Sequence, residues 1–214
     1  MKAKSILATI LLIIVSTFLG CTSHIGVIEF NPFGDEWMYE TLGQNVAIAI
    51  LDFPDRRHDS KGKESMIGTV YGGYKNPLKR IYSEQTINLE VMEAMENLFR
   101  ENGFRVKKYP GVSDYSSLLD ERLAVKGQIN KFWTESYNRI GAVVDIDLEI
   151  FDRKHEKILW NGKINDFQKK GGGGGVFTNP NMMVLFLNQV LSSAIKKAWT
   201  QQGMLKALES LPKE

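Results

Sequence analysis

Between Ile140 and Asp152 the chain alternates without a break. Ala142, Val144, Ile146, Leu148 and Ile150 fall on one parity, and Asp145, Asp147 and Glu149 on the other. Successive side chains of a strand point to opposite faces, so this segment reads as a long strand with one apolar and one charged face. A helix cannot carry that pattern, because its period of about 3.6 residues winds the acids into the apolar stripe. Such a strand requires a sheet that is buried on one side and solvated on the other, which is the habit of antiparallel sheets.

The flanking segments supply its neighbours. Leu123, Val125 and Ile129 alternate with Lys126, Gln128 and Asn130, and a polar turn at Arg153-Lys154-His155-Glu156 leads into a third strand from Lys157 to Gln168. Short links make these three an antiparallel meander. Further back, the apolar run Val46 to Phe53, ended by Pro54, reads as a buried strand. Pro54 to Arg80 reads as a long loop rich in Gly, Lys, Arg and Asp. Ser83 is placed to cap a helix from Glu84 to Asn102, whose stripe is Ile87, Val91, Ala94, Met95 and Leu98 and whose stop is Asn102-Gly103. A short strand follows from Arg105 to Tyr109, which implies a parallel crossover with the first strand. Asn179-Pro180 opens a last long helix with the stripe Val184, Leu187, Leu191, Ala194, Ile195 and Ala198. Past Gly203, Met204 to Leu211 can add a short helix. The expected class is α+β: a mixed β-sheet with an N-terminal β-α-β crossover and a C-terminal antiparallel meander, helices packed on one face.

The only cysteine, Cys21, cannot form an internal disulfide. It ends an apolar run from Ile6 to Leu19 that follows the basic start Met1-Lys2-Ala3-Lys4. That layout is a secretory signal, too short to span a bilayer core. Phe18-Leu19-Gly20-Cys21 resembles the lipobox of bacterial lipoproteins. The resemblance implies removal of residues 1–20, a diacylglycerol and a fatty acid such as palmitate on Cys21, and membrane attachment through that lipid. Thr22, where an aspartate would retain the protein at the inner membrane, implies passage to the outer membrane with the domain in the periplasm. Residues 21–45 lack a clean period and read as a tether that partly packs back on the domain, and residues 46–214 as one domain. Removing residues 1–20 takes Lys2 and Lys4 from the 27 basic residues and none of the 25 acidic ones, which leaves the two in balance. A balanced chain gives no electrostatic case for nucleic acid.

Motifs of chemistry are few. Asp145, Asp147 and Glu149 form a row that can meet a hard cation, yet they lack the turn and glycine of a calcium loop and read as a solvated face. His24, His58 and His155 are scattered and have no metal-ligand spacing, so no metal or other cofactor is expected. There is no Gly-x-Ser-x-Gly elbow. Gly171, Gly172, Gly173, Gly174 and Gly175 follow Lys169-Lys170 but lack the Gly-Lys-Ser/Thr ending of a phosphate loop, and read as a flexible flap. Tyr71, Tyr74 and Tyr82, interleaved with Lys75, Lys79 and Arg80, are the residue types that bind a glycan, a peptide or lipid headgroups.

Taken with the lipobox, four features resemble the YajG-like lipoproteins of bacterial envelopes: the strand Val46 to Phe53, the glycine-rich stretch Gly68 to Pro77, the helix end Glu101-Asn102-Gly103-Phe104, and the pair Val143-Val144-Asp145-Ile146-Asp147-Leu148 with Lys157-Ile158-Leu159-Trp160-Asn161-Gly162. More distantly, the order of elements resembles the curli secretion lipoprotein. What this implies is a periplasmic domain with no known enzymatic activity and no catalytic residues to carry over. The expected function is a non-catalytic binding or assembly module that meets an envelope protein or glycan through Tyr71, Tyr74, Lys75, Lys79, Arg80 and the glycine flap. The alternatives are an accessory of transport or secretion that carries an apolar ligand, and a glycan-processing enzyme.

Overall fold

The computed structural model describes residues 22–26, 42–43, 46–58, 63–117, 120–171 and 178–211. Among them, eight strands form one mixed sheet: β1 (Thr22–Gly26), β2 (Ala47–Leu51), β3 (Met66–Tyr71), β4 (Pro77–Ser83), β5 (Arg105–Tyr109), β6 (Leu123–Ser136), β7 (Ile140–Asp152) and β8 (Lys157–Lys170). The helices are α1 (Ile87–Glu101), α2 (Pro180–Thr200) and α3 (Met204–Glu209).

β6 is the spine. One of its edges pairs with β7 along the whole strand, from Leu123 opposite Asp152 to Ser136 opposite Ile140, and β8 adds to β7; both pairings are antiparallel, as the alternation requires. Its other edge is shared. β2 runs parallel to Leu123–Val125, and β3 runs parallel to Thr134–Ser136. β5 extends the sheet beyond β2 in parallel, while β4 and then β1 extend it beyond β3.

The fork between β2 and β3 is closed by the chain leaving β2. Ile129 donates to the Pro54 carbonyl at 3.0 Å, and the Arg56 amide donates to the Ile129 carbonyl at 2.9 Å. Arg57 then turns inward. Its guanidinium donates to the carbonyls of Met66 (2.7 Å), Phe132 (3.1 Å) and Glu64 (2.8 Å), and grips both carboxylate oxygens of Asp55 at 2.8 and 2.7 Å. A planar five-donor fork suits this arrangement, in which one side chain serves three backbone carbonyls and one carboxylate.

The helices cover a single face. Ile140, Ala142, Val144, Ile146, Leu148 and Ile150 of β7 all lie in the core beneath them. The α1 stripe Ile87, Val91, Ala94, Met95 and Leu98 is buried as its spacing predicts, and so is the α2 stripe through Trp199. The Phe99 ring of α1 lies 6.4 Å from that of Trp199 and 5.6 Å from that of Phe104, edge to face in both cases, so the two helices share one core.

The structure departs from these expectations at several points. Pro54 to Arg80 is not a loop, because it contains the β3–β4 hairpin. Gly68 disguised β3, yet it is what lets β3 reach the spine: a Cβ there would stand 2.4 Å from the Thr134 carbonyl oxygen. The first helix starts at Ile87 after Thr86 rather than being capped by Ser83. Ser83 ends β4, and its hydroxyl donates to the buried Glu90 carboxylate, which burial pushes above its ordinary pKa. Within the stretch 21–45, read as a tether that partly packs back on the domain, Thr22–Gly26 forms a strand that pairs in parallel with Lys79–Ser83. An edge strand needs backbone pairing more than a side-chain period, so nothing in Thr-Ser-His-Ile-Gly announced it. The short last helix ends at Glu209, before the predicted Leu211.

α2 is fastened to β8 by Lys197, whose ammonium lies 2.5 Å from Asp166, and by the Trp160 indole, which donates to the Gln202 carbonyl at 3.0 Å. Burial pushes the Asp166 carboxyl up, but hydrogen bonds from Lys197, Gln168 and Ser193 outweigh it and hold the pKa down at about 2. A depressed folded-state pKa contributes stability that is complete above the unfolded value, near 4, and is lost as pH falls towards 2. The expected loss is about 1–2 kcal/mol, reduced by the water that reaches Lys197. Lys197→Met should flatten this part of the acid limb in urea melts recorded from pH 5 to pH 2.

Candidate partner-binding groove

The sheet face opposite the helices is divided into two zones. In the first, Lys163 lies 3.2 Å from Asp145 and 3.0 Å from Asp147, and Lys126 lies 3.0 Å from Glu149. Asn130 donates to Asp147 at 2.8 Å, and this bond and Lys163 hold the Asp147 carboxyl below its ordinary pKa against the effect of burial. The Tyr115 hydroxyl donates to Glu149, and the Tyr115 ring stacks on Phe151 at 4.6 Å. The acids are thus neutralised by lysines across the strands, with Asp147 44% exposed. No group of metal-ligating side chains gathers among the described residues. Replacing Asp145, Asp147 and Glu149 with their amides should cost about 0.5 kcal/mol or less each, with no calcium-dependent change in Tm, because each amide keeps an oxygen to accept the same hydrogen bonds and the lysine partners reach water.

The second zone is a groove of about 590 Å³. Its floor is set by register. Trp133 of β6, Val143 of β7 and Phe167 of β8 lie directly opposite one another across three strands. The next row is Thr69, Glu135, Gly141 and Lys169, with Arg80 opposite Thr69. Trp133 is buried, whereas Phe167 is 58% exposed and carries the Lys169 ammonium 5.1 Å above its ring. Tyr71, Lys75, Arg80 and Lys131 also line it. Gly141 leaves a gap in the floor, since a Cβ there meets nothing nearer than 3.8 Å.

A bulge places Trp133. The β6–β7 register shifts between Ile129 and Lys131. The core under the helices takes the odd-numbered Leu123, Val125 and Ile129 before the shift and the even-numbered Phe132 after it, while Ala124 and Trp133, though buried, lie outside that core. One extra residue in a strand exchanges its two faces, so Trp133 leaves the core parity and joins the groove.

The sequence-predicted residues divide as follows. Tyr71, Lys75 and Arg80 line the groove. Tyr74 stands at the tip of the β3–β4 hairpin, 97% exposed. Lys79 shares the strand parity of buried Ile81 and is not part of the lining. Gly171 is exposed at the end of β8, while Gly172, Gly173, Gly174 and Gly175 lie outside the described residues, as does Cys21. His58 edges the groove, and His155 Nδ1 pairs with Asp152 at 2.7 Å in the β7–β8 turn. Lys131, Trp133, Gly141, Val143 and Phe167 escaped the sequence reading, because no local signal aligns three strands.

The hairpin tip is held. The Gly72 amide donates to the Asn76 carbonyl at 2.9 Å, and the Tyr137 hydroxyl donates to the Gly73 carbonyl at 2.7 Å. Lys75 takes a left-handed φ of 58° with its ammonium 5.8 Å from the Tyr137 ring centre. Tyr74 is therefore presented from a turn tied to the β6–β7 turn, rather than from a loop of its own.

No family model matches the chain, and no curated protein matches it. Among solved structures, the protein XCC0632 from Xanthomonas campestris, of the family model DUF330, overlays with a TM-score of 0.54 at 8% identity, covering 86% of this chain and 98% of that one. The PelC dodecamer from Paraburkholderia phytofirmans gives 0.43 at 11% identity, over 73% of this chain and 88% of that one. Lipoprotein GNA1162 from Neisseria meningitidis gives 0.39 at 11% identity, over 71% of this chain and 99% of that one. Likeness at such identities is one of fold, and what the first overlay carries is the architecture: a mixed sheet with its helices on one face.

Proposed function

We propose that this chain is a lipid-anchored envelope lipoprotein whose domain is a non-catalytic binding or assembly module, and that the groove over Trp133, Val143 and Phe167 is its contact surface. The observation that carries the reading is the in-register row of Trp133, Val143 and Phe167, with the Phe167 ring exposed and the row edged by Tyr71, Arg80, Lys131 and Lys169. Aromatic faces flanked by cations take up a sugar ring or a peptide through stacking, apolar burial and cation–π contact. The anchor rests on the signal layout that ends at Cys21 and on its resemblance to the lipobox. Among the described residues no helix is long and apolar enough to cross a membrane. The fold shared with XCC0632 is compatible with this reading and assigns no partner.

The groove is tested by filling it. Gly141→Leu places a side chain between Glu135 and Lys169 with no backbone atom in the way. A photo-reactive residue at position 167 should form a discrete adduct in intact cells, and Gly141→Leu should abolish that adduct while leaving Tm within about 1 °C. An adduct that persists in the filled groove would place the contact elsewhere.

A further inference from the structure

The anchored residue directly precedes a strand. Thr22 is the first residue of β1, and consecutive Cα atoms are about 3.8 Å apart, so a lipid on Cys21 leaves the sheet edge with almost no slack. The register fixes which end of the sheet this is. Thr22 lies opposite Lys79, near the start of β4, and Pro77 lies opposite Tyr71, where β3 ends. β6 ends at Ser136 opposite Ile140, and Ile140 lies opposite Lys170 at the end of β8. Ser136 Oγ is 2.6 Å from Thr178 Oγ1, which brings the start of α2 to the same end. The tip 72–76, the turn 137–139, Lys169–Gly171 and the first turn of α2 are therefore grouped with the attachment point.

This end has an uncommon surface. Five large apolar side chains are exposed among the described residues, and three of them are here: Tyr74 (97%), Met182 (47%) and Leu185 (60%). The outward stripe of α2 is apolar only at Met182 and Leu185, and then becomes Gln189, Lys196 and Thr200. Exposed Lys75, Arg139, Lys169 and Lys170 stand in or beside these turns, against the single acid Glu135 among the described residues of these turns. With residues 1–20 removed the chain has as many acidic as basic residues, so the matching acids lie elsewhere in it. Tyrosine at headgroup level, apolar side chains beside it and lysines around them match an anionic bilayer surface, which attracts cations held close to it.

We infer that this end of the domain docks on the membrane: Tyr74, Met182 and Leu185 enter the interface, and Lys75, Arg139, Lys169 and Lys170 meet anionic lipid headgroups. The inference rests on the lipoprotein reading. It stands the strands off the bilayer, with the β7–β8 turn at Lys154 at the opposite end of the sheet, and places the open groove just above the headgroups.

The test uses the full-length lipidated protein in vesicles of phosphatidylethanolamine and phosphatidylglycerol. Because the lipid occupies the native thiol, Tyr74→Cys, Leu185→Cys and Lys154→Cys each offer a single site for an environment-sensitive fluorophore. Quenching by lipids that carry a spin label near the headgroup should be at least about threefold stronger at 74 and 185 than at 154, and should fall when phosphatidylglycerol is omitted. Equal quenching at all three sites overturns the docking. So does shielding of positions 74 and 185 that follows protein density rather than lipid composition, since that means a second copy covers this end. Mass analysis of Cys21 on the same sample separates the two readings. An acylated Cys21 with positions 74 and 185 in water defeats the docking alone, and an unmodified Cys21 defeats both.

Discussion

Arg57→Ala is expected to destabilise the domain by about 3–5 kcal/mol, read from urea melts of the purified protein. The side chain is buried, and its loss strands the carbonyls of Met66, Phe132 and Glu64 together with the Asp55 carboxylate. Those groups sit in the fork of the sheet, where β2 and β3 share one edge of β6, so their desolvation is not relieved by neighbouring strands. Arg57→Lys should recover little, because one ammonium cannot reach three carbonyls and both oxygens of a carboxylate. A loss below 1 kcal/mol in Arg57→Ala would mean that water enters the fork at little cost.

Trp199→Ala should cost a similar amount, about 3–5 kcal/mol, for a different reason. Trp199 is fully buried in the last turn of α2 and touches Phe99 of α1, so truncation opens a cavity between two helices and the sheet. Its indole N–H has no acceptor among the described residues. Trp199→Phe therefore removes an unpaired polar group along with some volume, and should cost well under half as much as the alanine variant. Equal losses in the two variants would point to an unseen hydrogen bond at the indole.

The parts of the fold that periodicity governs were legible. β7 alternates through thirteen residues, and α1 and α2 carry continuous stripes, because each buries one face against a broad layer. What stayed hidden was structure held by backbone pairing or by a single side chain. β1 has no period, β3 contains a glycine that reads as a breaker, and Arg57 looks like any loop cation until the fork around it is seen. The groove shows the same division. Tyr71, Lys75 and Arg80 could be singled out by type, since aromatics among cations are a local signal. Trp133 could not, because the bulge after Ile129 reverses the parity on which a sequence reading depends, and its alignment with Val143 and Phe167 exists only once three strands are in register.

The proposed role and the docking of the Tyr74 end both hang on Cys21. The direct measurement is the intact mass of the protein extracted from the membranes of its own cells, beside that of Cys21→Ser. The account predicts a chain that begins at Cys21, heavier than its sequence by a diacylglycerol and a further acyl group, and a Cys21→Ser form that lacks the lipid and keeps residues 1–20 or leaves the membrane. A wild-type chain with an unmodified thiol at Cys21 would contradict it.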